Sequence, residues 1–356
     1  MVDLKKLSVR SDASLHLAME QLNLCEMGIL LLLDAKSRFL ATVTDGDIRR
    51  AILAGSGLDS PITNALCNRD GTLRHSITAD ATASRAEQLA IMRDAGIRHL
   101  PLLDGERKVV DLALSDDLGS MPALPVQAVI MAGGFGTRLR PLTDDTPKPM
   151  LQIGGRPLLE RTIEGLQQAG VHRINVTTHF MPEKITSHFG SGSKFGVELN
   201  YVSEDEPLGT AGALGLLGDI EEPLLVINGD ILTNVDFRSL VRYHQAQKAM
   251  LTVGVRHYEL KVPYGVVEAK NGRVLGLREK PSYAFFVNAG VYLLDPSVRR
   301  HIPRARRFDM TDLIELLLGQ GEPVASFPIL EYWIDIGQHE DFDRAQREVS
   351  QLRKSA

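Results

Sequence analysis

The chain is short of the residues that would mark several common functions. Cys25 and Cys67 are its only cysteines among 356 residues, too few for a disulfide framework or a structural zinc site. Charge of one sign is lacking too: 40 Lys and Arg against 45 Asp and Glu leave a net charge of −5. That balance argues against a nucleic-acid binder held by phosphate neutralisation. No long apolar run exists. The longest, Met27 to Leu33, contains Gly28 and is far too short to span a bilayer. Met1 to Arg10 carries Asp3, Lys5, Lys6 and Arg10 and no signal-type apolar core. These absences lead to the expectation of a cytoplasmic protein that engages neither membrane nor nucleic acid. His179, His188, His257 and His339 show no metal-ligand spacing, and no Ser–His–Asp arrangement can be argued.

What is present is an ordinary globular composition, 44% apolar and 24% charged, in a length that favours two domains. The organising stretch is Met131 to Met150, M-A-G-G-F-G-T-R-L-R-P-L-T-D-D-T-P-K-P-M. It follows Val126-Gln127-Ala128-Val129-Ile130, which reads as a buried strand. Gly133, Gly134 and Gly136 then let the backbone turn tightly and approach a ligand. Backbone N–H groups in such a turn can point at phosphate oxygens. Arg138 and Lys148 add two positive charges, so the loop suits a polyphosphate. It is neither a P-loop nor a dinucleotide fingerprint, because Leu139 stands where the last glycine of the latter would be.

The run from Ala132 to Pro149 resembles the signature of the sugar-1-phosphate nucleotidyltransferases, A-G-G-x-G-T-R-L-x-P-L-T followed by P-K-P. Further motifs follow along the chain. Leu224 to Ile227 is a continuous apolar run of the buried-strand kind, ending in Asn228-Gly229-Asp230. Glu206 to Gly212 is a loop of small residues. Pro263 to Val267, Glu279-Lys280-Pro281 and Asn288 to Tyr292 match sugar-contacting pieces. Trp333-Ile334-Asp335-Ile336-Gly337 closes the set. Strand alternation there sends Ile334 and Ile336 to the core and leaves Asp335 facing the site.

The resemblance implies a Rossmann-like α/β domain over 126–356 with a mainly parallel, mixed sheet. It implies transfer of a nucleoside monophosphate from a triphosphate to a sugar 1-phosphate, with Mg²⁺ as cofactor. Arg138, Lys148 and Asp230 would carry the chemistry. Met131, Ala132, Gly133, Gly134, Gly136, Thr137, Gly209, Thr210 and Gly229 would bind the nucleotide. Gly265, Glu279, Lys280 and Asn288 would bind the sugar phosphate, and Asp230 and Asp335 the metal. The Glu206–Leu214 loop resembles that of guanylyltransferases, so GTP is the expected donor. Ser203, Glu204, Asp205 and Glu206 offer acceptors for a guanine edge. A thymidylyl- or uridylyltransferase, or a non-catalytic sensor of nucleotide sugars, is the alternative.

Residues 1–120 form a separate α+β unit, joined by a linker at 121–125. Asp34 and Asp104 each close an apolar run, an offset of 70 that also pairs Asp47 with Asp117 and Ile48 with Leu118. The repeat resembles a tandem CBS-domain module, and Thr44-Asp45-Gly46-Asp47 matches its T-x-x-D signature. Thr44 and Asp47 would then hold a regulatory nucleotide. In the second copy Leu114 replaces the threonine, so only one cleft keeps the full pattern. The equal alternative is a dimerisation platform, and a homo-oligomer is expected.

Overall fold

The computed structural model describes residues 3–25, 27–66, 76–95, 97, 99–114, 123–218, 221–304 and 306–355. The chain divides into two compact units, Met1–Met121 and Pro122–Ala356. Among the described residues no helix is long and apolar enough to cross a membrane.

The first unit is an internal repeat. Ser8–Arg10, Ile29–Leu33 and Phe39–Thr44 form one three-stranded sheet, and Ala79–Asp80, His99–Leu103 and Val109–Leu114 form another. In each sheet the first pair is parallel and the second antiparallel. Equivalent residues stand 70 apart: Ile29 faces Thr44, and His99 faces Leu114. The turns repeat as well. Asp34 Oδ1 accepts the Arg38 N–H at 2.8 Å, and Asp104 Oδ1 accepts the Lys108 N–H at 2.8 Å. A carboxylate that gathers nearby backbone N–H groups is a local reason for a turn, and both copies use it. Asp117, Leu118 and Cys67 lie outside the described residues.

The second unit is built on one seven-stranded sheet. Its strands are numbered here in chain order: β1 (Gln127–Met131), β2 (Arg173–Thr178), β3 (Glu198–Ser203), β4 (Leu224–Asn228), β5 (Leu251–Lys261), β6 (Ser282–Leu294) and β7 (Val324–Pro328). Their spatial order is β3-β2-β1-β4-β6-β5-β7. Only β6 runs against its neighbours, and the other pairings are parallel. The sheet is therefore mixed and mainly parallel, an α/β fold.

Both faces of this sheet are covered, which explains the unbroken apolar runs in β1 and β4. On one face Ala128, Ile130, Leu225 and Ile227 pack with Leu159, Ile163 and Leu166 of helix Leu158–Gln168 and with Leu240 of helix Phe237–Gln247. On the other, Val129, Leu224 and Val226 meet Met310, Leu313 and Leu317 of helix Met310–Gly319. The helical residues recur at three- and four-residue spacing, the stripe one helix face presents. A third cluster joins Leu139, Ile334 and Ile336 to Ala345 and Val349 of the last helix, His339–Ser355. That helix is longer at both ends than the apolar pattern within Glu340–Glu348 suggests.

Candidate active site

Three parallel strands end at one level. Met131 of β1 lies opposite Thr177 of β2 on one side and Asn228 of β4 on the other. Open parallel sheets bind ligands beyond such carboxyl ends. The glycine-rich loop leaves β1 at this point. Gly136 adopts φ 63°, and a β-carbon there would lie 3.0 Å from Thr143 and 3.2 Å from Lys148. Buried Thr143 also donates its hydroxyl to the Gly136 carbonyl at 2.8 Å. The loop is thus folded back on itself, carrying buried Lys148 toward the ends of β1 and β4. Gly229 is required at the next strand end, since its β-carbon would fall 2.4 Å from the Met131 carbonyl oxygen.

Lys148 Nζ lies 2.6 Å from Asp230 Oδ2. Asp230 turns directly into the strand Ile231–Thr233, which pairs antiparallel with Trp333–Asp335, Ile231 opposite Asp335. Ile336 donates its N–H to the Asp230 carbonyl at 3.0 Å. Two aspartates 105 positions apart in the chain are thereby placed at one end of a short ribbon. Ile334 and Ile336 are buried, as alternation requires, while Asp335 keeps access to solvent. The protein packed around the Asp335 carboxyl raises its pKa above the usual aspartate value, and the charge of Asp230 raises it further. Lys148 and Arg138 pull it back. Arg138 Nη1 and Asp335 Oδ1 both border Gly337, 3.7 and 3.5 Å from where its β-carbon would be. Arg138, Lys148, Asp230 and Asp335 therefore form one cluster of alternating charge beside the glycine loop.

Asn288 stands near the same floor. Its side chain accepts the Gly290 N–H at 3.0 Å and hydrogen-bonds Tyr292. Burial pushes the Tyr292 phenol up to about 12, the bond to Asn288 opposes this, and the Asp230 charge adds to it. Gly265 and Glu279 also meet, with Glu279 Oε2 3.0 Å from the Gly265 β-carbon position. Glu279 and Lys280 are exposed, and Lys280 sits at φ 44°. No hydrogen bond or ion pair joins either to the four-residue cluster among the described residues.

Four expected residues are engaged in building the fold. Thr210 receives the Met310 N–H on its hydroxyl at 2.8 Å, and its own N–H goes to Asp309 at 3.1 Å. Gly209, at φ 79°, leaves only 2.4 Å between its β-carbon position and Asp309 Oδ1. The small-residue loop is thus docked on the start of helix Met310–Gly319. In the first unit Thr44 donates its hydroxyl to Asp47 Oδ2 at 2.6 Å, and the Thr44 N–H reaches the same oxygen at 2.9 Å. That is a capping box on helix Asp45–Leu53. Asp47 also pairs with Arg50.

Glu204, one of the residues expected to offer acceptors to guanine, supports a turn. It is buried, its Oε2 accepts the Leu208 N–H at 3.0 Å, and its Oε1 lies 2.8 Å from the Gly133 β-carbon position. His179 Nδ1 meets its carbonyl at 2.7 Å. Glu204 holds the Leu208 turn and leaves no room for a side chain at Gly133.

Comparison with known proteins agrees with this geometry. Residues 127–351 match the family model for nucleotidyl transferase. The catalytic subunit beta of mannose-1-phosphate guanylyltransferase from Danio rerio is 33% identical over 226 residues, 61% of this chain and 62% of that one. A UTP–glucose-1-phosphate uridylyltransferase from Synechocystis is 33% identical over 245 residues, 63% of each chain. This chain spans a little under two thirds of the length of both relatives. Among solved structures, a Bacillus anthracis protein described as a putative glucose-1-phosphate thymidylyltransferase matches with a TM-score of 0.51 and 29% identity, covering 63% of this chain and 94% of that one. With the glycine loop, the paired strand ends and the Arg138–Lys148–Asp230–Asp335 cluster lying inside the matched span, the chain belongs to the nucleotidyl transferase family.

Proposed function

We propose that this protein transfers a nucleoside monophosphate, GMP by preference, from a nucleoside triphosphate to a sugar 1-phosphate, releasing pyrophosphate. The observation that carries the reading is the cluster of Arg138, Lys148, Asp230 and Asp335 beside a glycine loop at parallel strand ends. A sugar-phosphate oxygen attacks the α-phosphorus, a new P–O bond forms, and the bond to the β-phosphate oxygen breaks. The attacking oxygen is already anionic, so no general base is needed. Positioning and charge neutralisation carry such chemistry.

Arg138, exposed at the mouth of the cluster, meets the departing pyrophosphate. Lys148 is held by Asp230 and steadies the α-phosphate. The backbone N–H groups of the glycine loop orient the triphosphate. Gly265, Glu279, Lys280 and Asn288 are assigned to the sugar phosphate. The donor set fits Mg²⁺: two neighbouring carboxylates, one with a raised pKa, call for a cation. No third Asp, Glu, His or Cys joins them among the described residues, and Mg²⁺ commonly takes one or two carboxylates with substrate phosphates and water. When bound it supplies neutralisation of the phosphates and polarisation of the α-phosphorus. The first unit is assigned a regulatory role, with a nucleotide held at Thr44 and Asp47. That role requires release of their mutual hydrogen bond.

The test is kcat/KM for pyrophosphate release with GTP, UTP, dTTP, CTP and ATP against glucosamine 1-phosphate, mannose 1-phosphate and a heptose 1-phosphate. GTP is expected to lead. A lead by UTP or dTTP overturns the base and keeps the reaction class. No release with any pair, with intact binding of a nucleotide sugar, favours a sensor. Titration of adenine and guanine nucleotides into the full chain, before and after Asp47→Ala, tests the regulatory site.

A further inference from the structure

The ammonium of Lys148 and the carboxylate of Asp230 form a sheltered pair. Their side chains are 11% and 25% exposed. An ammonium carries three N–H donors, yet among the described residues Lys148 makes one side-chain hydrogen bond, to Asp230 Oδ2. Asp230 Oδ1 and the Asp335 carboxylate accept no hydrogen bond from any described residue. The backbone is fixed at both ends of the contact. Lys148 opens the short turn Lys148–Met150, between Pro147 and Pro149. Asp230 is fastened to Ile336 through its carbonyl. The contact therefore opens by rotation of the lysine side chain, whose stem is flexible.

Charge decides what can replace it. Ile231 lies opposite Asp335, so the two aspartates are neighbours with one lysine bonded between them. A divalent cation held by both would match their two charges and take over the oxygen that Lys148 now contacts. The displaced ammonium would then be a sheltered charge without a partner, which is strongly unfavourable. It needs another anion within reach. The stem of Lys148 lies against the glycine loop, its Cβ 3.2 Å from where a β-carbon on Gly136 would be. A phosphate held by that loop is offered to the same ammonium.

We infer that Lys148 is the standing counterion of Asp230 and guards the metal position, yielding Asp230 to a divalent cation as it transfers to the phosphate of an arriving triphosphate. The inference rests on the proposed reading of the site and adds an order to it. Metal alone is kept off, and metal and triphosphate strengthen each other's binding through Lys148 by the same factor. Lysine suits the task, because a compact charge on a flexible stem can serve two anions in turn, whereas the rigid fork of arginine is built for one planar partner.

Mn²⁺ titration of the full chain without nucleotide, followed by electron paramagnetic resonance of the free ion, tests the guard. Wild type should bind Mn²⁺ weakly. Lys148→Met should bind one ion at least ~10-fold more tightly, the order expected when a unit charge a few ångströms away is removed. Adding Asp230→Asn should abolish the gain. Lys148→Gln reads the same contact should Lys148→Met fold poorly. Equal affinity in wild type and both lysine variants overturns the inference, as does a gain that survives Asp230→Asn. The link is read from the affinity for α,β-methylene GTP with and without Mg²⁺. The strengthening by Mg²⁺ should be smaller in Lys148→Met than in wild type, chelation in solution being common to both, and equal strengthening overturns the link. Failure of the analogue to bind strikes the donor reading, and the Mn²⁺ titration then still decides the counterion role.

Discussion

Asp230 and Asp335 are fastened through the backbone, the Asp230 carbonyl accepting the N–H of Ile336 at 3.0 Å. The ribbon keeps the two residues side by side, and the neighbouring cations Lys148 and Arg138 offset the effect of one carboxylate on the other. Lys148 does so for Asp230 at 2.6 Å. Asp335 is left with a raised pKa, from its packed surroundings first and the Asp230 charge second.

Asp230→Asn removes a charge but little volume. Activity is expected to fall by ~10²-fold or more, as when a charge-stabilising group is lost, with the fold retained. Pyrophosphate release across a Mg²⁺ titration checks this. Near wild-type turnover at saturating Mg²⁺ would refute the assignment.

Arg138 is exposed, so its truncation should spare stability. Its proposed partner charge grows as pyrophosphate departs, and interactions of that kind act on kcat. Arg138→Ala should lower kcat with little change in melting temperature. A lowered melting temperature at full rate would make the residue structural.

Glu204 separates position from charge. Glu204→Ala leaves the Leu208 N–H without its acceptor, at a cost of about 1–3 kcal/mol, and loosens the turn beside Gly133. The triphosphate KM should rise more than kcat falls. Glu204→Gln keeps an acceptor oxygen and should recover most of the loss. Equal damage from both variants would point to a need for the negative charge itself.

His244 predicts a pH effect remote from the site. It is buried and shares a 2.8 Å hydrogen bond with Thr252 Oγ1. Burial lowers its pKa, against a smaller upward pull from Asp295. The unfolded chain takes up this proton more readily than the folded one. The contribution is therefore present above the ordinary histidine value and is lost as pH falls through the lowered folded pKa. Melting curves from neutral to mildly acid pH should show a steeper decline for wild type than for His244→Gln.

Local patterns carried a large part of this in the sequence. The Ala132–Pro149 motif marked the loop, the Trp333–Gly337 alternation oriented Asp335, and the offset of 70 marked the repeat. Contacts across long separations were not legible. Nothing local in Gly209-Thr210 shows that they dock on Asp309 and Met310, about a hundred positions away. The pairing of Tyr258 with Phe285 is likewise set by the course of two long strands. Glu204 was read from its charge alone, and burial decided its part.

The course of β6 has an evolutionary consequence. Its last residues, Val291–Leu294, pair with β4, while Ser282–Val287 pair with β5 alone. On the proposed assignment the triphosphate loop belongs to the buried sheet, and Glu279 and Lys280 to an exposed excursion between strands. Changes in the excursion leave the core packing of β1 and β4 untouched. A substitution or insertion there can alter the acceptor end without disturbing the donor loop, so residues 256–287 can be exchanged as a block.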